Sequence, residues 1–87
     1  MSEHLPFGAA IEALKQGRRV SREGWNGKGM FLFLILGSGP SAWTYTDGKQ
    51  DNYPLLPFIA MKTAGQEVVP WLASQTDVLA EDWTILT

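Results

Sequence analysis

Trp25 stands among Gly24, Gly27 and Gly29, so its ring is carried on a backbone that can turn tightly and let a ligand approach. An indole offers a flat apolar face on which a base stacks. Asn26 adds an amide that reads donors and acceptors together, and the neighbouring Arg22 and Lys28 carry the charge needed to neutralise phosphate. The combination suits a nucleotide. It matches neither the phosphate-binding loop, since no Gly-Lys-Ser/Thr is present, nor the dinucleotide fingerprint of a strand followed by a glycine-opened helix. On the loop alone, packing of Trp25 into the core is the competing reading and slightly the stronger one.

A second segment, Val69-Pro70-Trp71-Leu72-Ala73-Ser74-Gln75-Thr76-Asp77, sets Trp71 just before a helix start, where free backbone N–H groups favour an anion. Ser74, Gln75 and Thr76 supply neutral polar groups beside it. Ser74 and Asp77 also fit the helix capping pattern, and capping alone would account for both. Asp77, Glu81 and Asp82 could instead serve acid–base chemistry or a magnesium ion, although exposed helix carboxylates are the simpler reading. There is no cysteine, and the one histidine, His4, lies near the start of the chain. Zinc clusters, Cys-His pairs and Ser-His-Asp triads therefore have nothing to build on inside the fold.

The elements that must position these residues follow from periodicity. Between Pro6 and Gln16, Phe7, Ala10, Ile11 and Leu14 recur at helical spacing, with Pro6 suited to the first helical position and Gly17 to the stop. Phe7 reads first as a core anchor, and its place at the helix start also permits ligand contact. Arg18 to Arg22 is expected as a short strand. Met30 to Leu36, a continuous apolar run, is expected as a central strand with both faces buried. Gly37 to Leu56 has the composition of a long loop, within which Trp43 to Thr46 could form a short strand. Phe58 to Thr63 and Glu67 to Trp71 suggest a hairpin across Ala64-Gly65-Gln66, with Pro70 marking an edge. A short helix after Ser74 and a closing strand from Trp83 to Leu86 complete the reading. The expected class is α+β: a small antiparallel sheet, an N-terminal amphipathic helix and a second short helix near the C-terminus.

At 87 residues the chain is expected to be a single ligand-binding domain. Apolar residues make up 45% and charged residues 18%, which points to a globular protein with apolar partner surfaces and away from disorder. A net charge of −2 gives no global attraction to a nucleic acid polymer. Lys15, Arg18, Arg19, Arg22 and Lys28 nevertheless fall close together, either as a solvated face or as a small anion site. The longest apolar run is far short of the ~20 residues that span a bilayer, and no signal peptide is visible, so a soluble intracellular protein without membrane partners is expected. One short helix covers only one face of a sheet. The other face of the Met30 to Leu36 strand therefore calls for a cover, for which a second copy of the chain is the leading candidate and a loop or the second helix the alternative.

Phe7 to Gly17, Gly24 to Leu32, Met61 to Ala64 and Val69 to Trp83 together resemble a family of short phage and prophage proteins that act as Thoeris anti-defence sponges, the second type described. The resemblance covers nearly the whole chain apart from Met1 to Pro6 and Gly37 to Leu56. It implies sequestration: a TIR-domain enzyme of the infected bacterium makes a cyclic ADP-ribose isomer, and the phage protein binds this signal in the host cytoplasm without breaking a bond. It also implies a homotetramer with signal pockets between protomers and, in some members, a separate site for cyclic dinucleotides. No cofactor is implied. Trp25 and Trp71 would be stacking walls, with Asn26, Ser74, Gln75, Thr76 and Asp77 as polar contacts. Two other readings stand beside this one: a nucleotide-processing enzyme using Asp77 or Glu81, and a structural or protein-interaction domain in which the tryptophans are core.

Overall fold

The computed structural model describes residues 4–25, 29–44 and 47–87, with backbone alone for 38–44, 51 and 52. Asn26, Lys28 and Tyr45 lie outside the described residues. Helix α1 (Phe7–Lys15) buries Ala10, Ala13 and Leu14 on one stripe. Pro6 occupies the N-cap with extended backbone, one position earlier than expected from its usual place inside the helix. At the other end Gly17 adopts φ +83, and the amides of Gly17 and Arg18 donate to the carbonyls of Leu14 and Ala13. This satisfies the last orphan carbonyls while turning the chain into the sheet, a conformation that a β-carbon would oppose.

Strands β1 (Val20–Arg22), β2 (Phe31–Ile35), β5 (Phe58–Lys62), β6 (Val68–Pro70) and β7 (Trp83–Ile85) form an antiparallel sheet in the order β6-β5-β2-β1-β7. Its register places Val20 opposite both Leu32 and Ile85, and Arg22 opposite Trp83. Val20, Leu32 and Trp83 thus share the face covered by α1, and all three are fully buried. The short helix α2 (Gln75–Leu79) packs beside α1. Leu5 bridges to Trp83 at the β7 edge through two backbone hydrogen bonds, 2.9 and 3.1 Å long. The α+β class is as expected. Among the described residues, no helix is long and apolar enough to cross a membrane.

One expectation, burial of both faces of the Met30 to Leu36 strand, turns on a cover from outside the chain, and a second is corrected. The first concerns β2, whose alternating side chains are treated unequally: Leu32 is buried, whereas Phe31, Phe33, Leu34 and Ile35 are only half-buried. Both helices sit on one side of the sheet. Phe31, Phe33 and Ile35 pair with Lys62, Ala60 and Phe58 on the opposite side, where Ala60 is buried but, among the described residues, no helix packs. The second concerns Gly37 to Leu56, which is a two-stranded ribbon of β3 (Ser38–Thr44) and β4 (Gln50–Leu55), not a loop. Its turn chemistry is concentrated at Asp47 and Gly48, where the Asp47 carboxylate accepts from the Lys49 amide and Gly48 takes φ +88. Pro40 and Pro54 face each other beside a register shift, and each strand of an isolated ribbon has an unpaired side that tolerates proline. Gly37 is required where it stands, because a β-carbon there would collide with the Leu55 carbonyl oxygen. Among the described residues the ribbon packs against no helix or strand of the body, which gives the molecule its extents of 45 × 25 × 24 Å.

Leu32→Ala should lower stability by about 2–5 kcal/mol, because a fully buried side chain leaves a cavity that the surrounding strands cannot close. Glu12→Ala on the exposed face of α1 should change it by no more than about 0.5 kcal/mol. Urea unfolding of the two variants checks both values.

Candidate functional site

The closing strand brings the site together. Trp83 begins β7 on the buried face, and its ring centroid lies 5.4 Å from Phe7, 5.7 Å from Trp25 and 6.1 Å from Trp71. Trp25 and Trp71 meet it at 79° and 86°, the near-perpendicular arrangement that the aromatic quadrupole favours. Phe7 tilts across both Trp83 and Trp71. Trp83 has no exposed surface, whereas Phe7, Trp25 and Trp71 are half-buried. Trp25 and Trp71 thus pack on Trp83 while staying partly exposed.

Trp25 is held by a turn in which its amide donates to the Arg22 carbonyl at 3.2 Å. Trp71 follows β6, its amide donating to the Ile59 carbonyl at 3.0 Å. The indole Nε1–H of Trp83 donates to the Asp77 carbonyl at 3.1 Å, so the buried ring is tied to α2 and leaves no orphan donor.

Ser74 to Asp77 forms a complete capping box. Ser74 Oγ accepts from the Asp77 amide at 3.1 Å, and the Asp77 carboxylate accepts from the Ser74 amide at 2.9 Å and from the Ser74 hydroxyl at 2.8 Å. The Thr76 hydroxyl lies 2.8 Å from Ser74 Oγ. The capping reading thus accounts for Ser74 and Asp77, and the N-terminus of α2 already faces a carboxylate of its own. Gln75 opens the helix with its side chain exposed, beside an apolar cleft of about 310 Å³ lined by Ala73, Ser74, Gln75, Val78 and Leu79.

Arg22 does not stand free to meet a phosphate. Its Nη1 donates to Asp77 at 2.9 Å and its Nε to Asp82 at 3.0 Å, with side-chain exposures of 22%, 15% and 28% for Arg22, Asp77 and Asp82. The Arg22 hydrogen bond holds the Asp82 carboxyl below the usual carboxylate range. For Asp77, burial pushes the other way but is outweighed by hydrogen bonds from the Ser74 amide and hydroxyl and from Arg22, so its pKa is also lowered. The two carboxylates raise Arg22 in turn, Asp82 first. Of the other described cations, Lys15 reaches Glu12 at 4.0 Å, Arg18 and Arg19 both donate to Thr87, and Arg19 and Lys62 lie 4.8 and 5.7 Å from the Phe31 ring centroid. No group of three or more His, Cys, Asp or Glu among the described residues is arranged to hold a metal ion.

Sequence reasoning missed Trp83 and Asp82 as parts of this cluster. The available signal was strand alternation, which puts Trp83 and Ile85 on the same face and so directs the largest side chain of β7 inward. Asp82 could be assigned to Arg22 only once the β1–β7 register was known.

Arg22→Gln should lower stability at neutral pH by roughly 1–2 kcal/mol, since it removes two charge-assisted hydrogen bonds that are partly screened by solvent. Because both aspartates are depressed in the folded state, their contribution is fully present above the unfolded value of about 3.9 and is lost as pH falls through their lower folded values. The difference between wild type and variant should accordingly shrink below about pH 4. Thermal unfolding from pH 7 to pH 2.5 measures it.

Two comparisons bear on this arrangement. The family described as Thoeris anti-defense 2-like domain matches residues 5–86. The chain is also 46% identical over 89 aligned positions to the Thoeris anti-defense 2 protein of Bacillus phage SP01, with the whole of both chains covered. The match therefore takes in both tryptophan segments, both helices and all five strands of the main sheet, and the chain belongs to the Thoeris anti-defense 2-like family.

Proposed function

We propose that the protein is a phage anti-defence sponge, in which residues 1–87 act as one ligand-binding domain that captures a cyclic ADP-ribose-type signal and releases it unchanged. The observation that carries this reading is the convergence of two half-exposed tryptophans, Trp25 and Trp71, on a single buried partner beside the polar turn Ser74 to Asp77, in a member of an anti-defence family. Adenine and nicotinamide-derived rings are flat and stack on indole, with each base–aromatic contact worth about 1–3 kcal/mol. Phe7 extends the apolar wall next to Trp71. Ser74, Gln75, Thr76 and Asp77 are proposed as polar contacts after Trp71, with Asn26, Arg22 and Lys28 as further contacts around Trp25.

Non-catalytic action is supported by what the carboxylates do. Asp77 is engaged by Ser74 and Arg22, and Asp82 by Arg22, so neither is available as a general base without dismantling the cap and the ion pair. We extend the proposal to a homo-oligomer, a tetramer by family resemblance, acting in the cytoplasm of the infected host. The half-buried Phe31, Phe33 and Ile35 face favours a second copy of the chain as its cover. A cyclic dinucleotide would be a second ligand class, bound at a separate site.

Incubation with a cyclic ADP-ribose isomer, followed by heat denaturation, should return the intact molecule in stoichiometric yield. A hydrolysed product would favour the enzyme reading. The same ligand should raise Tm in wild type, and the shift should vanish in folded Trp25→Phe and Trp71→Leu variants. An undiminished shift in both would leave the tryptophans as core residues alone.

A further inference from the structure

Neither candidate wall residue touches the other in a ring contact, yet both rest on the same third ring. Trp83 is fully buried, so it has no surface to offer a ligand. Its backbone is fixed twice, by the β1 ladder opposite Arg22 and by the bridge to Leu5, and its indole N–H is fixed to the Asp77 carbonyl. A wall that packs on so constrained a ring inherits its position. Phe7 cannot take over this role, because it packs on Trp71 and Trp83 but makes no ring contact with Trp25.

We propose that Trp83 is the positioning residue of the site: it sets the spacing of Trp25 and Trp71 and, through its Nε1–H on Asp77, locks both to the turn that carries Ser74, Gln75 and Thr76. The consequence for ligand binding rests on the sponge reading, whereas the consequence for ring positions does not. A phenylalanine at position 83 keeps an aromatic surface but is one ring smaller and has no donor, so both walls lose their common seat and the Asp77 carbonyl keeps only the Ala80 amide as a donor.

The test uses the full chain labelled with 5-fluorotryptophan, as wild type and as Trp83→Phe, with Ile85→Val as a control for general loosening of the same strand. In the absence of ligand, the fluorine resonances of both Trp25 and Trp71 should shift or broaden in Trp83→Phe and stay in place in Ile85→Val. If both stay in place in a folded Trp83→Phe, the proposal is overturned whatever the protein binds. With a panel of cyclic ADP-ribose isomers as probes, Trp83→Phe should weaken binding by about tenfold or more under conditions where it is fully folded, and Ile85→Val by about twofold or less. Equal affinity of wild type and Trp83→Phe overturns the positioning role, whereas absence of binding by wild type overturns the sponge reading and leaves the ligand-free result to decide this one. Should Trp83→Phe fail to fold, hydrogen exchange on the unmodified chain decides: the Trp83 Nε1–H should exchange about 100-fold more slowly than those of Trp25 and Trp71, and equal rates overturn the proposal.

Discussion

Burying an indole in a small protein brings a large apolar gain and one obligation, because the Nε1–H must find an acceptor or its desolvation cancels part of that gain. Trp83 meets the obligation with the Asp77 carbonyl, and much of the molecule is arranged around that bond. α1 supplies Phe7 as a lid, β1 supplies Val20 and Arg22 beside it, and the Trp25 turn and the Trp71 segment close the flanks. The Asp77 carboxylate caps α2 and binds Arg22 while its carbonyl accepts from Trp83. One residue therefore couples the helix start, the β1–β7 ladder and the aromatic cluster.

This coupling explains how a short chain without disulfide bonds can hold a preorganised surface. The two helices lie on one face of a five-stranded sheet, and the aromatic cluster gathers around Trp83 in the core of that face. The opposite face and the β3–β4 ribbon remain without a cover from the chain's own body among the described residues. In the proposed homo-oligomer a second copy would cover that apolar surface, and association and ligand capture would stabilise each other by mass action.

Much of the fold was legible in the residues because the decisive signals were local. Helical spacing from Phe7 to Leu14 with Gly17 at the stop, the apolar run from Phe31 to Ile35, and Ser74 with Asp77 three positions on each specify an element without knowledge of the rest. The ribbon was missed because Gly37, Gly39, Pro40, Gly48 and Pro54 lower strand propensity along a segment that escapes the penalty by pairing only with itself. At the site, Trp25 and Trp71 stood out through their flanking residues. The engagement of Arg22 did not, because its partners are 55 and 60 positions away and meet it through the antiparallel register of β1 and β7.

The central claim is that the tryptophan cluster and its polar turn capture a nucleotide signal without transforming it. Native mass spectrometry with a panel of cyclic ADP-ribose isomers and cyclic dinucleotides reports assembly, ligand identity and ligand mass together. The account predicts an oligomer carrying a cyclic ADP-ribose-type molecule at its unaltered mass. A clean monomer that takes up none of the panel, or that returns a ligand of changed mass, would contradict it.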